Sequence, residues 1–70
     1  MAKEVLTKFG KRIRAERLRQ GISQEKLAEM ANLHRNHVGL IERAEKNITL
    51  LNIDKLAKAL RIPLKKLMDF

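Results

Sequence analysis

Apolar residues recur along this chain at three- and four-residue intervals, and no stretch alternates apolar with polar positions as a half-buried strand would. Leu6, Phe9 and Ile13 mark one stripe of a helix expected from about Lys3 to Arg19, with Arg17 on the same stripe. Gly21 stops it, because glycine takes the left-handed C-terminal conformation without steric cost. Ser23 is placed to cap a second helix through Met30 or Ala31, although Lys26 leaves the reciprocal capping box incomplete. Leu27, Ala28 and Ala31 form its buried side. Asn32 falls where the chain must turn and tolerates positive φ, and Leu33 anchors that turn. A third helix from about Arg35 to Arg43 places Val38 and Ile41 inside and Asn36, Gly39, Leu40 and Arg43 on the opposite side. Thr49 caps a fourth helix bearing Ile53, Leu56, Ala57 and Leu60. Pro63 suits the first turn of a fifth, through Met68, with Leu64, Leu67 and Met68 as its apolar side. The expected fold is therefore all-α, a compact bundle of five short helices forming one domain over residues 1–70.

A chain of seventy residues buries only about 60% of the surface its unfolded form exposes, so its core must be well patterned and it has room for one task. Sixteen Lys and Arg against eight Asp and Glu give a formal charge of +8, a field that draws polyanions. Single-stranded RNA fits poorly, because stacking platforms need aromatic rings and only Phe9 and Phe70 are present. Double-stranded DNA is the better partner. Cysteine is absent, which suits a reducing compartment and removes disulfides and thiolate metal sites. Charged residues interrupt every apolar run, so a soluble, cytoplasmic protein with no membrane partner is expected.

Few residues offer other chemistry. His34 and His37 stand three apart, but no third ligand completes a metal site. Glu25 and Glu29 share a helical face without a nucleophile or a phosphate-cradling loop, so they read as a solvated face and no enzyme is expected. Neither a cofactor nor a small-molecule ligand is implied. Gly39 costs about 1 kcal/mol relative to alanine inside a helix; close approach to DNA is one reason for it, and tight helix packing the other. Arg17 on a core stripe needs a partner, and Glu42 sits beside the inner face of the third helix.

The run "GISQEKLAEMANLHRNHVGLIERAEKN", followed by "ITLLNIDKLAKAL", resembles the helix-turn-helix family of lambdoid phage repressors and xenobiotic-response-element regulators over about residues 6–68. Gly21, Ser23, Gln24, Leu27, Ala28, Val38, Ile41 and Glu42 carry the likeness, and "LHRNHVGLIERAEKNITLLNI" is most similar to controller proteins of restriction-modification systems. The resemblance implies a helix-turn-helix formed by the second and third helices in a prokaryotic, nucleoid-associated transcriptional regulator. It places Arg35 and Asn36, with Gly39 and Leu40, at base-reading positions; arginine matches guanine and asparagine adenine. It places Ser23, Gln24, His37, Arg43, Lys46 and Asn47 at the phosphates, and it pairs Arg17 with Glu42. His34 stands where the family often has a small hydroxyl residue, and Ala44 where it usually has glycine. One recognition helix reads only a few base pairs, so a homodimer on a palindromic operator is expected, with Leu51, Leu64, Met68 and Phe70 as its interface. The alternatives are a phage-type repressor and a DNA-binding antitoxin whose main partner is a toxin protein.

Overall fold

A computed structural model describes residues 2–70; Met1, the first residue of the domain expected over 1–70, lies outside the described residues. The described residues form α1 (Ala2–Arg19), α2 (Gln24–Ala31), α3 (Arg35–Glu42), α4 (Leu50–Leu60) and α5 (Leu64–Leu67), with no strand among them. The expected all-α bundle of five helices is present. Four ends differ by a residue from the expected ones: α1 begins at Ala2, Arg43 and Met68 are C-caps, and Pro63 is the N-cap of α5.

The starts of α2, α3 and α4 follow from local chemistry. The Ser23 hydroxyl accepts the Lys26 amide at 3.0 Å, and Thr49 accepts the Asn52 amide at 3.1 Å. His34 does the same work for α3, its Nδ1 accepting the Asn36 amide at 3.1 Å. An imidazole thus replaces the hydroxyl as the acceptor for an amide that the helix itself leaves unpaired.

The first four helices end alike. At each, a residue in the left-handed conformation follows the last turn: Gly21, Asn32, Ala44 and Arg61, with φ of 69°, 57°, 59° and 59°. The amide after it then bonds back five residues: Ile22 to Arg17, Leu33 to Ala28, Glu45 to Leu40 and Ile62 to Ala57, at 2.8 to 3.2 Å. This satisfies carbonyls that the helix ends would otherwise orphan. In three of the four, the residue donating that bond is apolar (Ile22, Leu33, Ile62) and packs against the core.

The core itself gathers Phe9, Ile13, Leu27, Val38, Leu56, Leu60 and Leu67, drawn from all five helices. Against it, α1 crosses α3 at Gly10. A Cβ built there would lie 2.5 Å from the Ile41 carbonyl oxygen and 2.8 Å from that of Glu42. The two helices therefore meet backbone to backbone at the end of α3. On its other flank α1 is tied to α5, where Arg12 Nη2 donates to the Lys66 carbonyl at 3.3 Å and Phe9 meets Phe70 with ring centroids 6.5 Å apart. Gln20 Nε2 donates to the Leu60 carbonyl at 2.8 Å, fixing the end of α4.

Two substitutions separate these constraints. Gly10→Ala should lower unfolding free energy by about 1 to 3 kcal/mol in urea melts, because backbone cannot yield as a side chain can. Ala44→Gly should raise it by about 1 kcal/mol, since an L-residue in the left-handed region carries about 1 to 2 kcal/mol of strain. A neutral Gly10→Ala or a destabilising Ala44→Gly would contradict the respective account.

Candidate nucleic-acid interface

The ends of α1 and α3 and the start of α2 converge on one buried carboxylate. Arg17 donates from Nε to Glu42 Oε2 at 2.7 Å and from Nη2 to Oε1 at 3.0 Å, and from Nη1 to the Ile22 carbonyl at 2.9 Å. Both side chains are buried. Hydrogen bonds to Glu42 are the main reason the Arg17 pKa is raised further; burial opposes them and the carboxylate's charge adds to them. The fork-shaped guanidinium fits both carboxylate oxygens at once, which fixes direction as well as distance. Gln24 Nε2 donates to the same Glu42 Oε1 at 3.0 Å. A residue expected at a phosphate is therefore also the outermost member of a network that reaches the core. Since Glu42 offers only acceptors there, the Gln24 carboxamide must turn its nitrogen inward.

Above this network a shallow cleft opens between α2 and α3, lined by Arg17, Ser23, Gln24, Glu25, Arg35, Asn36, Gly39, Leu40 and Arg43. All four expected base-reading residues line it, with three of the expected phosphate residues. Arg35 and Asn36 are exposed at its mouth, on the first turn of α3. Arg35 Nη1 lies 3.1 Å from Glu25 Oε2, so the first turn of α2 holds the arginine in place across the cleft. Arg43 is similarly paired with Glu45, at 3.3 Å.

The outer row of α3 is less uniform than its periodicity suggests. Gly39, expected to face outward, is buried. An added Cβ would lie 3.2 Å from Arg43 Nη1 and 3.4 Å from Gln24 Oε1, so two side-chain ends lie over it. Leu40 is half-buried, while Asn36 and Arg43 are exposed. Lys46 and Asn47 are exposed just beyond the helix. His37 is half-buried, and its Nε2 is enclosed without a partner. Burial, and secondly the charge of Lys46, lower its pKa, which keeps the ring neutral at pH 7. A phosphate contact through Nε2 requires this ring to rotate.

The residues expected to form an interface lie apart from the cleft. Leu51, Phe70 and Met68 are 64%, 46% and 37% exposed, and Leu50, which the periodicity did not single out, is 73% exposed. Leu64 is partly buried and packs against the core, so it offers less surface than expected. Gly10 was also missed, because a mid-helix glycine reveals no partner until the neighbouring helix is in place.

The model of the helix-turn-helix family matches residues 13–67, which span the whole cleft. The chain belongs to this family. Among helix-turn-helix proteins it is 42% identical over 71 residues to control protein C.BamHI of Bacillus amyloliquefaciens, covering 100% of this chain and 88% of that one. It is 42% identical over 66 residues to control protein C.SmaI of Serratia marcescens, covering 94% and 75%. The crystal structure of the restriction-modification controller protein C.AhdI from Aeromonas hydrophila superposes with a TM-score of 0.86 at 48% identity, over 89% of this chain and 94% of that one. The likeness therefore extends beyond the two-helix motif to α1 and α4.

Proposed function

We propose that this helix-turn-helix protein is a sequence-specific DNA-binding transcriptional regulator that controls restriction-modification gene expression. The observation that carries the reading is the α2–α3 cleft, with Arg35 and Asn36 at its mouth, on a chain 48% identical to a restriction-modification controller. In this reading α3 enters the major groove, where Arg35 reads guanine and Asn36 reads adenine through paired hydrogen bonds. Leu40 supplies an apolar contact. Gly39 admits the duplex only once Gln24 and Arg43 turn from above it to the backbone. Ser23 and Gln24, at the start of α2, with Arg43, Lys46 and Asn47, hold phosphates; these contacts set register and carry no sequence information. No helix is long and apolar enough to cross a membrane among the described residues, and the regulator is proposed to work at the nucleoid.

The regulator acts as a homodimer on a palindromic operator. Leu51, Met68 and Phe70, with the newly identified Leu50 and the edge of Leu64, are its interface, since exposed apolar side chains on a small soluble surface mark association. A two-fold pair sets the two α3 helices in successive major grooves, about 34 Å apart.

Arg35→Ala and Asn36→Ala should each reduce preference for a selected site by about 1 to 3 kcal/mol while leaving salt-sensitive binding to random duplex. Fluorescence titrations on both duplexes measure this, and equal losses on the two would remove these residues from base reading. Sedimentation at micromolar concentration should show a dimer that Leu51→Glu dissociates. A wild-type monomer that holds single half-sites tightly would defeat the dimer.

A further inference from the structure

The chain's positive charge is not concentrated at the proposed reading helix. Ten of the sixteen Lys and Arg, but only three of the eight Asp and Glu, belong to α1 and residues 61–70, so these segments hold +7 of the net +8. Residues 20–60, with α2, α3 and their turn, hold the remaining +1. There the cations Arg35 and Arg43 are further offset by Glu25 and Glu45.

Helical geometry places part of this charge out of reach of a duplex lying on α3. Gly10 marks the side of α1 that touches the α3 backbone. At 3.6 residues per turn, Lys8, Arg12 and Arg19 project about 160 to 200° from Gly10, on the far side of α1. Lys8 and Arg19 are exposed, and Glu16 pairs with Arg12 and Arg19, offsetting one charge and holding both guanidinium groups along the row. The bond from Arg12 to the Lys66 carbonyl brings the end of α5, with exposed Lys65 and Lys66, alongside the same row.

We propose that this row on the back of α1, extended by the end of α5, is a second polyanion-binding surface that holds the phosphate backbone of another duplex DNA segment. The chemistry of the row selects that partner. Ala15 and the exposed Val5 are its remaining members on α1, so the row has no aromatic platform for unpaired bases and no large aromatic anchor of the kind that dominates protein interfaces, while the exposed Met68 and Phe70 that follow Lys66 belong to the proposed dimer interface. Lys and Arg spaced along a helix suit regularly spaced phosphates. A regulator held at its site by α3 then binds a neighbouring stretch of DNA on the opposite side. The inference rests on α3 being the face that holds the first duplex.

The test loads the full-length protein on an immobilised selected duplex and measures capture of a labelled random duplex at about 50 mM salt, where phosphate contacts are strong. The wild type should capture it, and Lys8→Gln/Arg19→Gln/Lys66→Gln should weaken capture by about tenfold or more, given a salt-slope change of about 0.9 per lost phosphate contact. Lys8→Gln/Arg19→Gln, which leaves α5 untouched, should fall between them, with site preference on the first duplex unchanged. Capture by these variants equal to that of wild type would mean that a dimer's two reading helices bridge the duplexes, and would overturn the proposal. So would no capture at all, a change only in the association rate of the first duplex, or preferential binding of polyglutamate, which would assign the row to an acidic protein. Arg35→Ala/Asn36→Ala keeps the two readings separate: unchanged site preference would show the reading face misassigned, while capture still reports on the α1 row.

Discussion

The pose of α3, the proposed recognition helix, depends on a contact that contains no side chain. Gly10 lets α1 come against the carbonyls of Ile41 and Glu42 at the C-terminal end of α3. The buried Val38 and Ile41 seat α3 on the core, and Arg17 adds a directional hold at the same end by gripping both oxygens of Glu42. A buried ion pair of this kind adds little net stability, because desolvating both charges costs about as much as their attraction returns. Its value lies in direction. The same carboxylate holds Gln24, so the position of the core is transmitted without slack to a side chain on the proposed DNA face.

This arrangement separates specificity from affinity. Around the cleft, each exposed arginine is already paired with a neighbouring glutamate, Arg35 with Glu25 and Arg43 with Glu45. Exposed pairs are worth about 0 to 1 kcal/mol, so a good base or phosphate contact displaces them at small cost while a poor one does not. The acidic partners also discourage indiscriminate phosphate binding at the proposed reading surface. The bulk of the positive charge, on α1 and the last ten residues, supplies the long-range field instead.

What the chain reveals before folding follows from which interactions are local. The five helices were legible because apolar spacing and caps act within a few residues; Ser23, Thr49, Gly21 and Asn32 all stand where their intrinsic preferences put them. Arg17 and Glu42 were each legible as charges beside a core that need a partner, and the family resemblance paired them. His34 and Ala44 were harder, since each performs a job better suited to another residue: an imidazole caps α3, and an alanine accepts a left-handed turn that tertiary packing imposes. Arg61 does likewise after α4 and gave no signal. Gly10 and Gly39 show the limit. Both sit within helices, yet one is required by the backbone of Ile41 and Glu42 and the other lies beneath Gln24 and Arg43, and of these four neighbours only Arg43 is near in sequence. Leu50 was missed for a related reason, because exposure depends on which side of α4 the bundle covers.

The claim that orientation, more than stability, is what α1 gives to α3 can be tested by replacing the ion pair with apolar residues of similar volume. In Arg17→Met/Glu42→Leu the buried charges are gone together, so urea melts should show a folded protein at least as stable as the wild type. Gln24 loses its anchor and α3 its directional hold. The ratio of affinities for a selected site and for random duplex should therefore fall by about tenfold or more, the scale of one lost base contact. A folded double variant that kept the wild-type ratio would contradict the account.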